Sequence, residues 1–347
     1  MSAQPRTEIA PSFGRTGAVV GGGLGDALMH LGHLAGVAAR AGGGKVTLLC
    51  KKGEELTDLF GAVDFLEDIV GLSSDQSRSG YVGFFRAASI FRDRFDTILF
   101  FRKSKTLVRA AQFAGVTNRF GVIVAPRPLL YPYTENLAAP PGIKFPDLRL
   151  ADALMKGLDI GFDSDTVRLT PKLEAIREAQ TLIGAGSAKT IAIGLNASGP
   201  LKQWGGERYA ELAARLAPHT DARFLLYGAS NVADVARSVI ALSKLDPGRF
   251  IDICVAPRRM SVSHALMARC QFYVGNDSNG MHLAARSGIP AVGLFGFTPP
   301  TTYSPLIIPI TAPPERRDEG MPGIGVGDVF SRCAELLERH AHANGRH

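Results

Sequence analysis

Short apolar runs rich in β-branched and aromatic residues punctuate the chain at fairly regular intervals. In the first half they cover residues 18–20, 46–50, 97–101 and 120–124; in the second half, 191–195, 224–227, 250–254, 272–274 and 291–295. Between them, apolar positions recur at helical spacing, most clearly over 27–41, 148–158, 207–216 and 328–340. The short runs are continuous in hydrophobicity rather than alternating. Strands buried on both faces read this way, because helices cover each side of the sheet. Strands alternating with helices therefore predict an α/β chain with parallel sheets in both halves. In the last helix, Val329, Cys333, Leu336 and Leu337 share one face.

Two stretches break the rhythm. Pro126, Pro128, Pro132, Pro140, Pro141 and Pro146 gather around Tyr131 and Tyr133, and residues 298–327 are rich in Pro and Gly. Proline removes a backbone donor and fixes φ, so both stretches read as loops. The crossing between halves is expected at 160–175. A chain of 347 residues fits two domains at roughly 150 residues each. No uninterrupted apolar run approaches the roughly 18 residues of a membrane-spanning helix, and residues 1–15 lack a signal-peptide core.

Charge adds little direction. Lys plus Arg is 39 and Asp plus Glu is 32, so 39 − 32 leaves +7. That balance favours phosphates or anionic surfaces in general. Basic residues do not interleave with aromatics, and Trp204 is the single tryptophan, so nucleic acid is not an expected partner. Cys50, Cys254, Cys270 and Cys333 show no C-x-x-C spacing, which argues against zinc or a disulfide framework and for a reducing compartment.

Three motifs sit where a strand gives way to a helix. The first is Gly21-Gly22-Gly23-Leu24-Gly25-Asp26. A dinucleotide fingerprint starting at Gly23 needs glycine at 28, where Leu28 stands, and an acid after the second strand, where Lys51 and Lys52 stand. An oxidoreductase is thus the weaker reading. Taken alone, Asp26 reads first as a helix N-cap, or else as a carboxylate at the ligand-binding edge of a parallel sheet. The second motif runs from Asn196 through Ser198 to Lys202-Gln203-Trp204: a small hydroxyl and a lysine suited to a diphosphate, with Trp204 read as packing. The third is Gly275-Asn276-Asp277-Ser278-Asn279-Gly280-Met281-His282. Asp277 or Ser278 can cap the helix that follows, whose free amides suit an anion; His282 could face that anion or be a core histidine. Asp163-Ser164-Asp165 resembles a chelating pair but reads as a solvated turn. Arg102, Lys103, Lys105 and Arg109 form a basic cluster after the strand at 97–101, either solvated or facing a phosphorylated acceptor.

In this order the motifs resemble glycosyltransferase family 9, the heptosyltransferases of lipopolysaccharide core assembly. Gly25-Asp26, Ser198, Lys202-x-Trp204, the strand ending in Gly228, the segment Asp277 to Ala284, the stretch Gly293 to Pro299 and Ala114-Gly115-Val116 with Arg119-Phe120-Gly121 carry the likeness. The resemblance implies a GT-B fold: two Rossmann-like, doubly wound domains facing across a cleft. It sets an acceptor-binding domain at 1–165, a nucleotide-sugar-binding domain at 166–327, and a helix at 328–347 packing back on the first domain. It further implies inverting, metal-independent transfer of a sugar, heptose above all, from a nucleotide-diphosphate donor such as ADP-heptose. The acceptor would be a lipopolysaccharide or related glycan, lipid-linked or phosphorylated, met at the cytoplasmic face of the membrane, with peripheral membrane contact. No cofactor is implied. Asp26 is carried over as the base; Ser198, Lys202, Asp277, Ser278, Asn279, Gly280 and His282 as donor-binding; Arg102, Lys103 and Lys105 as acceptor-binding. The chain departs from the family pattern where Asn279-Gly280 replaces Gly-Pro, where Ala229-Ser230-Asn231-Val232 lacks an acid, and where Gly32-His33 replaces a proline. A sugar-nucleotide binder without activity is the alternative on the same fold.

Overall fold

A computed structural model describes residues 12–72, 81–123, 130–138, 148–183, 189–197, 199–256, 258–301 and 303–344. It divides into two compact units: residues up to 23 together with 30–164, and residues 24–29 together with 165–347. Each unit is built on one parallel sheet. The unit boundary at Ser164 and Asp165 lies inside the stretch expected to join the halves.

The first unit contains β1 (Thr16–Val19), α2 (Leu31–Arg40), β2 (Val46–Cys50), α3 (Gly53–Phe60), β3 (Leu66–Gly71), α4 (Tyr81–Phe91), β4 (Thr97–Phe100), α5 (Lys105–Phe113), β5 (Asn118–Ile123), β6 (Glu135–Ala138) and α6 (Leu148–Gly157). Its strands lie in the order β3-β2-β1-β4-β5-β6. Between β1 and α2, the helix α1 (Leu24–Met29) belongs to the second unit. The rest of that unit is α7 (Leu173–Ile183), β7 (Thr190–Gly194), α8 (Gly206–Leu216), β8 (Arg223–Tyr227), α9 (Ala233–Ser243), β9 (Phe250–Asp252), α10 (Met260–Met267), β10 (Phe272–Asn276), α11 (Asn279–Arg286), β11 (Ala291–Phe295), β12 (Ile307–Thr311) and α12 (Val326–Asn344). Its order, β12-β11-β10-β7-β8-β9, is the same 3-2-1-4-5-6 pattern read from the other edge. Both units are thus doubly wound and Rossmann-like, as expected.

The strands seen in the sequence are the central ones and the edge strand β9. β1, β2, β4, β7, β10 and β11 are buried along their whole length. Three strands escaped the pattern: β3, half-exposed with Glu67 and Asp68 inside it; β12, an edge strand with Pro309; and β6, inside the proline-rich stretch. Proline is tolerated on an edge because its missing donor costs no ladder bond there. Two stretches read as loops therefore contribute strands.

The expected helix over 27–41 is broken. α1 ends at Met29 and α2 starts at Leu31, with His30 at φ −84°, ψ 1° between them. Gly32 and Gly36 then let residues 161–164 lie against α2. A Cβ on Gly32 would meet the Asp163 carbonyl oxygen at 2.2 Å, and one on Gly36 the Gly161 oxygen at 2.6 Å. The Asp163-Ser164-Asp165 run is a turn, as read, with Asp163 exposed and Asp165 paired to Arg168 at 2.7 Å. His33, fully buried beneath Phe162, holds Asp152 of α6 at 2.8 Å.

On α12, Val329, Cys333, Leu336 and Leu337 present the expected face and bury it in the core of the second unit, with Trp204, Leu212 and Leu216. All four cysteines are free and buried, and burial pushes Cys50 up to about 11 and Cys254 and Cys270 up to about 12. Among the described residues no helix is long and apolar enough to cross a membrane.

At the centre of the second sheet, Gly194 of β7 pairs with Gly275 of β10. A Cβ on Gly275 would stand 2.6 Å from the Gly194 oxygen and 2.5 Å from Tyr273 Oη. Backbone cannot yield there as a flexible side-chain tip can. Gly275→Ala is expected to cost about 1–3 kcal/mol from overpacking, read as a lower urea midpoint; an unchanged midpoint would refute the close approach.

Candidate functional site

In a doubly wound sheet, ligands bind beyond the carboxyl ends of the two strands where the order reverses. In the second unit those strands are β7 and β10. The second and third sequence motifs leave these two ends, so the topology itself brings together residues 196–204 and 276–282.

A buried amide joins them. Asn276, fully buried, donates from Nδ2 to the carbonyls of Leu195 and Asn196, each at 3.2 Å, and accepts at Oδ1 from Trp204 N at 3.1 Å and Tyr209 Oη at 2.9 Å. Both amide donors and both lone pairs find use, as burial demands. Trp204 is packing, as read: it is fully buried, its Nε1 donates to the Ile324 carbonyl at 3.0 Å, and its ring meets Tyr209 edge-on. With the loop held at both ends, Lys202 Nζ donates to Asp277 Oδ2 at 2.9 Å, and Thr298 Oγ1 donates to the same oxygen at 2.9 Å. Asp277 does not cap α11; its carboxylate is spent on Lys202 and Thr298. Ser278 is the N-cap residue by position, yet its hydroxyl makes no capping bond and lies 3.5 Å from Tyr273 Oη. The first turn of α11 is thus left without a side-chain cap beside a half-exposed lysine, an arrangement suited to an anion.

Asn279 is helical and needs no left-handed backbone. Gly280 is needed for closeness: a Cβ there would press on Tyr227 and Tyr273 at 3.0 Å. Gly228 admits Val232, which would lie 2.4 Å from a Cβ, and the 229–232 turn is tied back by Ala229 N to Asn196 Oδ1 at 3.1 Å. Ser198 lies outside the described residues.

His282 is buried, its ring stacked on Tyr303 at 5.7 Å, and its Nδ1 has no hydrogen-bond partner among the described residues. Burial, with Arg286 and Lys202 adding to it and Asp277 opposing, holds its pKa below the ordinary imidazole range. The ring is therefore neutral at pH 7, and Lys202 is the positive charge of this turn.

Asp26 stands on α1, which packs on α11 in the same unit. Gly25 makes that seat: a Cβ there would lie 3.2 Å from His282 Cδ2 and 3.6 Å from Asn279 Cα. Asp26 is half-exposed and is the third residue inside α1, so it is not the N-cap; a carboxylate in the first helical turn is still favoured by the dipole. Of the glycines before it, Gly22 takes the left-handed turn at φ 68°, while Gly21 lies against the Arg102 side chain. Arg102, Lys103 and Lys105 stand in the first unit after β4; Lys103 lies over the Tyr131 ring at 5.0 Å, and Lys105 opens α5 behind its cap Ser104. Sequence reasoning gave no role of their own to Asn276 and Thr298, which lay inside its motifs, and passed over Arg286. A charged residue four positions after His282, on an otherwise apolar helix face, was the available sign for Arg286.

The family model of glycosyltransferase family 9 (heptosyltransferase) matches residues 148–312. Lipopolysaccharide heptosyltransferase 2 of Escherichia coli K12 is 29% identical over 115 residues, 32% of this chain and 33% of that protein. The Salmonella typhimurium LT2 protein of the same name matches to the same extent. The matched stretch thus spans about a third of these relatives' length. Among solved structures, a family 9 glycosyl transferase from Veillonella parvula superposes with a TM-score of 0.77 at 16% identity, covering 95% of this chain and 99% of the other. ADP-heptose lps heptosyltransferase II of Escherichia coli gives 0.70 at 17% identity, covering 94% and 99%.

Burial also pushes His264 on α10 down to about 4, from 6.5. The unfolded imidazole then takes up a proton that the folded one refuses, so stability is full above pH 6.5 and is lost as pH falls toward 4. Unfolding by urea at pH 7 and pH 5 is expected to show a loss of about 2 kcal/mol from this residue. His264→Gln should flatten the profile by that much; an equal slope in both proteins would contradict it.

Proposed function

We propose that this chain, which belongs to glycosyltransferase family 9 through residues 148–312, transfers a sugar from a nucleotide-diphosphate donor to a lipopolysaccharide-type glycan with inversion at the anomeric carbon and without a metal. The observation that carries the reading is the seating of α1, with Asp26, on the uncapped first turn of α11 beside Lys202. One carboxylate and one cationic, amide-lined turn thus belong to a single unit.

The chemistry follows from those groups. The acceptor hydroxyl attacks the anomeric carbon as the bond to the leaving diphosphate breaks, and Asp26 accepts the hydroxyl proton. The departing diphosphate gains negative charge, which Lys202 and the α11 amides stabilise most where the charge develops. Ser278, Asn279 and Gly280 line that turn, while Asp277 sets the Lys202 side chain. His282 contributes shape and a neutral ring rather than charge. One heptosyltransferase of the same fold, from Escherichia coli and solved both with ADP and with ADP-2-deoxy-2-fluoro heptose, makes ADP-heptose the first donor to try. Arg102, Lys103 and Lys105 are the proposed contacts for acceptor phosphates.

Asp26→Asn is expected to lower transfer from ADP-heptose about 10²- to 10⁴-fold while ADP affinity by calorimetry stays within twofold. Lys202→Ala should instead weaken ADP binding. Wild-type turnover in the Asp26 variant would remove the proposed base.

A lipid-linked acceptor calls for contact with a membrane surface. Tyr81, Val82, Phe85 and Phe113 are more than half exposed on α4 and α5, and Phe85 and Phe113 meet at 5.9 Å. The same two helices carry Arg86, Lys105 and Arg109 and no carboxylate, which suits anionic headgroups and disfavours pairing with a second copy. Co-sedimentation with phosphatidylglycerol vesicles should exceed that with phosphatidylcholine vesicles and fall in Phe85→Ser/Phe113→Ser. Equal sedimentation of the variant would rule this face out.

A further inference from the structure

We infer that Arg286 is a positioning residue for Asp26. It is fully buried, yet it stands on the same helix, α11, whose first turn forms the proposed anion site. Its guanidinium reaches the end of α1: Nε donates to the Leu28 carbonyl at 2.8 Å and Nη2 to the Met29 carbonyl at 3.1 Å. Nη1 donates to the Val167 carbonyl at 3.1 Å, and the plane lies over the Tyr303 ring at 4.7 Å. All four groups lie in the second unit.

The physical need is plain. The last carbonyls of any helix lack partners within it, and α1, broken off at His30, has only six residues and little stability of its own. Arg286 satisfies two of these carbonyls and sets a positive charge at the helix C-terminus, where the dipole favours it. At its other end α1 rests on His282 through Gly25. The short helix is thus pinned at both ends to α11, and Asp26 sits next to the first pin. Tyr303 completes the link, since it stacks on His282 and carries the guanidinium. The planar fork matters: lysine carries the charge but cannot reach three carbonyls at once.

This inference rests on the reading of Asp26 as the base, and its test separates the two. Arg286→Lys and Arg286→Met in the full chain would be followed by hydrogen exchange over residues 24–29, by ADP affinity, and by turnover with ADP-heptose beside Asp26→Asn. Expected is faster exchange over 24–29 in both variants, with exchange in α8 unchanged. ADP affinity should stay within twofold, and turnover should fall at least tenfold, less in Lys than in Met. Unchanged exchange over 24–29, or wild-type turnover in Arg286→Lys, would overturn the positioning role. So would a loss of ADP binding and turnover in step with the loss of folded protein, which marks a merely structural residue. Full activity of Asp26→Asn would instead overturn the underlying reading, whatever Arg286 does.

Discussion

The candidate site depends on one buried amide at the point where the second sheet reverses its strand order. Asn276 ends β10, and its side chain holds the backbone leaving β7 and the start of the Trp204 turn. An unsatisfied amide in a dry interior is costly, so Asn196 and Trp204 are held where, with Leu195 and Tyr209, they use all four of its hydrogen-bonding positions. Lys202, two residues before Trp204, reaches Asp277 from there. The carboxylate in turn is withdrawn from capping, which leaves the first turn of α11 without a side-chain cap. A structural tie and a ligand-ready helix end are two sides of the same arrangement.

Close approach then extends the site. Gly194, Gly275 and Gly280 are needed because Tyr273, Tyr227 and the paired backbone leave no room for a Cβ. The same logic seats α1: Gly25 allows its backbone to touch His282, and Arg286 fastens the far end. The replacement of a Gly-Pro pair by Asn279-Gly280 fits this geometry, since the room at 280 is what the packing demands and 279 is ordinary helix.

Charge is sparing. Burial keeps His282 and His264 from protonating near neutrality, and the charge of Arg286 is directed onto carbonyl oxygens. Lys202 remains the partly exposed cation beside the α11 turn, balanced by a carboxylate it can exchange for an incoming phosphate. On the proposed function, such a site would tell a diphosphate from a neutral ligand without relying on histidine protonation.

How much was legible in the sequence follows from which forces act locally. The central strands were readable because burial on both faces makes them uniformly apolar, and the strand-to-helix motifs because glycine and polar residues interrupt that pattern abruptly. Asp26, Lys202 and the 277–282 turn were found this way. β3, β6 and β12 were not, since an edge strand needs neither continuous hydrophobicity nor freedom from proline. The break at His30, the attachment of α1 to the second unit, and the burial of α12 in its own unit's core could not be read from periodicity. An amphipathic helix announces that it has a buried face but not which surface will cover it. The sequence by itself therefore determined the parallel α/β architecture and the chemical groups at the strand ends. Only the tertiary structure decided which of those groups meet, because Asn276, Gly25 and Arg286 act through contacts whose partners lie from 67 to 258 residues away.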